Sequence, residues 1–292
     1  MRRCLVAAAC VSAALAGMLI VSCGGSPNGP GTVTPPPTTP PPNVPPVIDS
    51  IGVQGRGSKE PANFSDLGET VDVIATVHDA ETPVEELQYT WTADVGAFDG
   101  TGAKVTWRAP DAATTPAAAT LSLKVTEKYG YPGAAKIYQQ DVTSSAVVSL
   151  HNSRKEVGDM ARQFLLDFSD SNIRDIGSIM RNFIPGCYGT KDETDQVTEN
   201  RRRYRILESQ VGEPQTSVNF GGVCPYKARK GDACTAVPVY WNSTDLDNHG
   251  ATGAVTGTDW VASFYMPDKQ RWGLCDSSFD GRKALNMRAF IR

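Results

Sequence analysis

"VHDAETPVEELQYTWTADVGAFDGTGAKVTWRAP" (77–110) decides the fold of the first half of the chain. Within it and on either side, apolar and polar residues alternate with a period of two, the pattern of a half-buried β-strand. Upstream, "ETVDVIATVHD" (69–79) places Val71, Val73, Ala75 and Val77 on one face. "LQYTWTA" (87–93) does the same with Leu87, Tyr89 and Trp91, and "AKVTWRAP" (103–110) stops at a proline. Downstream, "ATLSLKVTEKYG" (119–130) lines up Leu121, Leu123 and Val125. Turn formers separate the runs, among them Asp99-Gly100, a pair suited to a hairpin. About five to seven short strands at this spacing predict an antiparallel β-sandwich over 47–148.

The same stretch resembles the immunoglobulin-like and PKD-like modules repeated in bacterial surface proteins, where a buried tryptophan follows an acidic turn. The resemblance implies an Ig-like sandwich. It says little about activity, because such modules serve as spacers, adhesive units and carbohydrate-associated domains alike. Asp79 and Glu81, with Glu127 nearby in sequence pattern, offer oxygens of the kind calcium takes. A hard-cation site needs about six oxygens or more, which the sequence does not assemble here. A solvated acidic turn is the simpler reading, and no cofactor is expected.

The second half, 149–292, changes texture. "SRKEVGDMARQFLLDFSD" (153–170) carries Val157, Met160, Ala161, Phe164, Leu165 and Phe168 at helical spacing. "NIRDIGSIMRNF" (172–183) repeats the pattern with Ile176, Ile179, Met180 and Phe183, and Pro185 ends it. "TKDETDQVTENRRRYRILES" (190–209) continues as helix before passing into extended chain. Beyond 215 the residues turn to strand formers. The run "TDWVASFYMPDKQRWGLCDSSF" (258–279) predicts a hairpin, turning near Pro267-Asp268-Lys269 and packing through Trp260, Val261, Phe264, Trp272 and Leu274. Helices first and a bent sheet afterwards is an α+β order. With that terminal hairpin, the order is similar to the NTF2-like (cystatin-like cone) superfamily. The resemblance implies a cavity between helices and sheet, where enzymes of that superfamily use Asp-His pairs. Only His151 and His249 fall in this half, and neither matches such a pair. The fold class is thus multidomain: an Ig-like β-sandwich followed by a disulfide-stapled α+β domain. The stretch 138–153 leaves open whether the halves are rigidly joined, and a last strand running into a short hinge fits it.

Arg2 and Arg3 precede an apolar run, Leu5 to Val21, that is at or below the length of a membrane span. Its end, Ile20-Val21-Ser22-Cys23, resembles a bacterial lipobox. That resemblance implies cleavage before Cys23 and its acylation with chains such as palmitate, an anchor to the membrane of the cell envelope. Gly24 rather than aspartate follows, which by the same analogy favours the outer membrane. From Ser26 to Pro46 the chain is proline-rich and uncharged, a tether able to extend about 3.1 Å per residue.

Charge argues against nucleic acid as a partner. Lys+Arg against Asp+Glu counts 7 to 14 over 48–150 and 19 to 18 over 151–292; the leader's two arginines complete 28 to 32. The four cysteines beyond the leader and lipobox, Cys187, Cys224, Cys234 and Cys275, form an even set in an exported chain. Two disulfides follow in an oxidising envelope. Of three possible pairings, Cys224–Cys234 and Cys187–Cys275 are favoured. A four-cysteine zinc site lacks the close pairs it needs.

Catalytic signatures are missing. "DLDNHG" (245–250) opens like a calcium loop, but Gly253 and Thr256 fall where ligands are required. Asp192, Glu193 and Asp195 read as a solvated helix start rather than glycosidase carboxylates. "RRRYR" (201–205), flanked by Glu199 and Glu208, reads as a salt-bridged exposed face. Lys227, Arg229 and Lys230, between two cysteines, are the better candidates for contact with a polyanion, since a closed loop loses less entropy on binding. The sequence therefore points to a non-catalytic envelope lipoprotein whose distal domain contacts a glycan, peptidoglycan or a protein partner. The alternatives are a hydrolase acting on an envelope or extracellular polymer, and a structural spacer.

Overall fold

The computed structural model describes residues 39–57, 59–132 and 135–283, with side chains through 281. The leader, Cys23 and the tether up to position 38 lie outside the described residues. Eight strands come first: β1 (Val47–Gln54), β2 (Phe64–Asp66), β3 (Thr70–His78), β4 (Gln88–Ala93), β5 (Ala97–Asp99), β6 (Lys104–Arg108), β7 (Ala117–Tyr129) and β8 (Tyr138–His151). They make two sheets, ordered β1-β3-β6-β5 and β2-β8-β7-β4. All pairings are antiparallel except the short parallel one of β2 with β8.

The sheets face each other across one buried cluster. Val53, Val71, Val73, Val105 and Trp107 from the first meet Leu121, Val148 and Leu150 from the second. The fully buried tryptophan is Trp107, whose Nε1 donates to the Val95 carbonyl (3.1 Å). Trp91, the first after the acidic turn, is half-buried. The β5–β6 turn uses Gly100 and Gly102 at φ 99° and 85°, where a Cβ is disfavoured. The end of the expected tether is docked: Asn43 donates to Glu127 (2.7 Å), and Pro46 is buried.

The second half holds α1 (Ser153–Ser169), α2 (Ile176–Ile179), α3 (Thr190–Arg203) and then β9 (Tyr204–Val211), β10 (Gln215–Val223), β11 (Lys230–Asp245), β12 (Ala251–Met266) and β13 (Arg271–Lys283). The sheet runs β10-β11-β12-β13, and β9 shares with β10 the same edge of β11. The break between β9 and β10 faces Pro238, which has no N–H for a ladder bond; Gly212 N–H donates to its carbonyl (2.8 Å). Ala161, Phe164 and Leu165 of α1, Ile179, Met180, Phe183 and Val197 fill the space over Val237, Val239, Val261 and Leu274. The cavity implied there by the cone resemblance is thus occupied by side chains.

Two expectations change. The second helix is one turn, not twelve residues. Asp175 accepts the N–H groups of Gly177 and Ser178, and after that one turn of helix the chain turns to meet β13 at a single bridge, Phe183 to Leu274. There Leu274 N–H donates to Asn182 O and Ile184 N–H to Leu274 O, both 2.8 Å. Trp260 and Phe264, expected to pack with Val261 and Leu274, lie half-buried on the opposite face, because successive strand residues alternate sides.

No hinge separates the halves. β8 ends at His151, Asn152 caps α1 by accepting Lys155 N–H (3.3 Å), and the helix begins at Ser153. The boundary expected at 148 therefore falls inside a continuous strand, and the described residues from 41 onward form one compact unit. Phe64 of β2 packs with Val157, Ala233, Tyr265 and Trp272, drawing on α1 and three strands of the second half. Asp66 accepts both the N–H (2.8 Å) and hydroxyl (2.7 Å) of Ser153, whose oxygen in turn accepts Trp272 Nε1 (3.1 Å). His151, with no exposed surface, stacks on Phe64 (5.2 Å) and bonds Ser149, Glu156 and Tyr265 at 2.8, 2.8 and 3.2 Å.

Candidate functional site

The connection from β10 to β11 is the disulfide-closed loop Cys224–Cys234. Both favoured pairings are present: Cys224–Cys234 and Cys187–Cys275, with Cα separations of 5.4 and 5.5 Å. The first rests on Ala262 in a small buried cluster on the outer face of β12. The second is reached from a bulge, since Cys275 lies between the β13 residues paired to Ala262 and Ser263. In the entropy model, closing a loop of 88 residues contributes about 4–5 kcal/mol.

The loop is held at several points. Lys227 and Ala228 take φ of 55° and 49°, a left-handed pair that costs free energy in residues with a Cβ. The surroundings over-determine it. Cys224 N–H donates to Arg229 O (2.6 Å), and Tyr226 stacks on Trp260 (6.5 Å between centroids). Tyr188, beside Cys187, donates its hydroxyl to Lys230 O (2.8 Å) and sets its ring edge-on to Phe264. Arg229 Nε meets Asp276 Oδ2 at 2.9 Å. Arg229 is therefore a strut, committed to a buried carboxylate, rather than the free contact expected from sequence. Lys227, 5.2 Å from the Tyr226 ring centre, and Lys230 form no ion pair among the described residues.

Behind the strut lies a set of acids that sequence reading missed. Glu193 is only 6% exposed, not solvated as expected, because α3 turns Glu193 and Val197, four residues apart, toward the sheet. Asp259 and Asp276 are each 4% exposed. Burial, then the neighbouring Asp259 and Asp276, push Glu193 up to about 8, although Ser277 donates to it (3.3 Å). Burial likewise pushes Asp259 up to about 6, against hydrogen bonds from Ser277 and Ser278. Burial raises Asp276 too, opposed by Arg229 and Lys227. The missed signal was a single apolar residue, Val197, one turn after Glu193.

The remaining sequence candidates are structural. Arg202 binds Glu199 and Asp247, Arg203 binds Asp245, and Arg201 donates to the carbonyls of Phe168 and Ile173. Of the two flanking acids, Glu199 pairs with the basic cluster, and its other acidic partners, Asp245 and Asp247, come from the end of β11 and its turn, which gives "DLDNHG" its role. Asp79 accepts the N–H groups of Glu81 and Thr82, and Glu127 accepts the Thr82 hydroxyl (2.6 Å). Those oxygens hold a turn. Among the described residues no cluster of three or more His, Cys, Asp or Glu side chains is arranged to hold a metal ion. Comparisons with protein-family models, curated proteins and solved structures found no match.

A carboxyl group whose pKa is raised by folding binds its proton more tightly in the folded state. Its stabilisation is complete below the ordinary carboxylate range and is lost as pH climbs through the folded value. For Glu193 that window runs from 4.5 to about 8, and for Asp259 from 3.8 to about 6. The Tm is expected to fall steadily between about pH 5 and 8.5 at constant ionic strength. Glu193→Gln, neutral at every pH, should flatten the upper part of that fall. A wild-type profile that is level or rises over this interval would count against the buried acid set.

Proposed function

We propose that the chain is a lipid-anchored envelope protein with a non-catalytic binding role. In this reading Cys23 carries the anchor, the proline-rich segment gives reach, and an Ig-like sandwich supports an NTF2-like domain. The disulfide-closed loop makes the contact, and its partner is an acidic envelope polysaccharide. The observation that supports it is Lys227 set over the Tyr226 ring of the stacked Tyr226–Trp260 pair, with Lys230 exposed on the same loop, which is fixed by a disulfide and an Arg229–Asp276 strut. Two exposed ammonium groups attract carboxylates, and aromatic faces suit the C–H faces of sugar rings. A preformed loop gives up little freedom on binding. The raised pKa values of Glu193 and Asp259 favour a hydrolase as the second reading. Both groups are covered, so that reading requires α3 to move.

Two experiments test the proposal. Cys23→Ala should abolish palmitate labelling and move the protein from the membrane to the soluble fraction; labelling that persists would remove the anchor. In gels containing alginate, the wild-type protein should be retarded and Lys227→Ala/Lys230→Ala should lose about tenfold in affinity. The retardation should weaken as salt rises. Equal mobility of the two proteins, or salt-independent retardation, would contradict the loop contact.

A further inference from the structure

A cleft of 850 Å³ opens at the junction of the halves, lined by the turn after β2, the start of α1 and the end of β10. It is distinct from the loop contact and uses none of its side chains. The volume lies in the range of small-molecule sites. Short, planar hydrogen-bonding side chains form part of its lining: Glu60, Asp66, Glu69, Asn152 and Asn219. Phe220 adds an apolar surface, its ring supported edge-on by Phe64 (5.3 Å) and tilted against Trp272 (5.6 Å). Gly68 and Gly221 keep the space open. A Cβ on Gly68 would come within 2.9 Å of Asp111, and one on Gly221 within 2.8 Å of Lys59.

The charges in the cleft nearly balance: beside the Asp111–Arg108 pair, Lys59 and Arg154 stand against Glu60, Asp66 and Glu69. Asp111 pairs with Arg108, Asp66 is capped by Ser153, and Glu69 accepts the N–H of Asp66 (2.9 Å). Burial keeps Glu69 above its ordinary value, against the N–H of Asp66. Lys59 donates to Gly221 O (3.3 Å). A site with many planar donors and acceptors, one aromatic wall and little net charge matches a ligand with paired hydroxyls and apolar C–H faces.

We propose that this cleft binds an uncharged oligosaccharide, engaging its hydroxyls through Glu60, Glu69 and Asn219 and one ring face through Phe220. The proposal stands apart from the loop reading: an acidic polymer would be held by Lys227 and Lys230, a neutral one by the cleft. The test titrates the full mature protein in detergent with chitotetraose, cellotetraose and maltotetraose, following tryptophan fluorescence, since Trp272 touches Phe220. One of the three is expected to bind with a Kd below about 1 mM. Asn219→Ala, at an exposed position, and the isosteric Glu69→Gln should each weaken it about tenfold. Lys227→Ala/Lys230→Ala and about 0.5 M NaCl should leave it unchanged. The proposal is overturned if none of the three saturates below about 10 mM. It is equally overturned if a tetrapeptide binds in their place, or if the lysine pair rather than the cleft variants abolishes binding.

Discussion

Phe64 belongs by sequence to the sandwich, yet its ring is buried among side chains of α1, β11, β12 and β13. Burying a phenylalanine side chain is worth about 1.5–3 kcal/mol, and here that stabilisation exists only while both halves are in place. The hydrogen bonds around it are of the same kind. Asp66 caps a helix of the other half, and His151, the last residue of β8, has its ring partners on both sides. A single residue, Asn152, separates the last strand of the sandwich from the first helix of the α+β part. Two layers that might have swung on a linker therefore share one core, and the cleft that opens beside it has walls that hold their spacing.

The same logic of cross-fixing governs the loop on the other face. A ten-residue closure tied by one disulfide would still leave several side chains free to turn. Tyr188, Trp260 and Asp276 each remove part of that freedom from a different element. The cost is a buried carboxylate, and two more, Glu193 and Asp259, lie near it. Three acids in a low-dielectric interior cannot all stay charged, which is why Glu193 holds its proton to about 8. The loop's firmness and the pH sensitivity of the second half come from one arrangement.

Much of the fold was legible because it rests on local periodicity. The alternation of Val71, Val73 and Ala75, and of Leu121, Leu123 and Val125, gave the sandwich core, and the helical spacing from Val157 to Phe168 gave α1. The disulfides followed from the even number of cysteines. What escaped depends on contacts between distant residues. Nothing near Phe183 announces that it bridges to Leu274, so a helix was expected where the chain turns onto β13. Trp260 and Phe264 are apolar enough to look like core, but the register of β12 turns them outward, where Tyr226 and Tyr188 cover them. Glu193 looked solvated because its neighbours Asp192 and Asp195 are. Of the candidate site, the three cations were legible and the commitment of Arg229 to Asp276 was not. The cleft was invisible, since its lining comes from segments about 50 to 160 residues apart in the sequence.

Scanning calorimetry of the protein tests the shared core most directly. One cooperative transition should unfold sandwich and α+β part together. Phe64→Ala should lower stability by about 3–5 kcal/mol and shift that single transition downward by on the order of 10 °C. Two resolved transitions in the wild-type protein, or a Phe64→Ala variant in which only one half melts earlier, would contradict a common core and leave the halves as independent bodies.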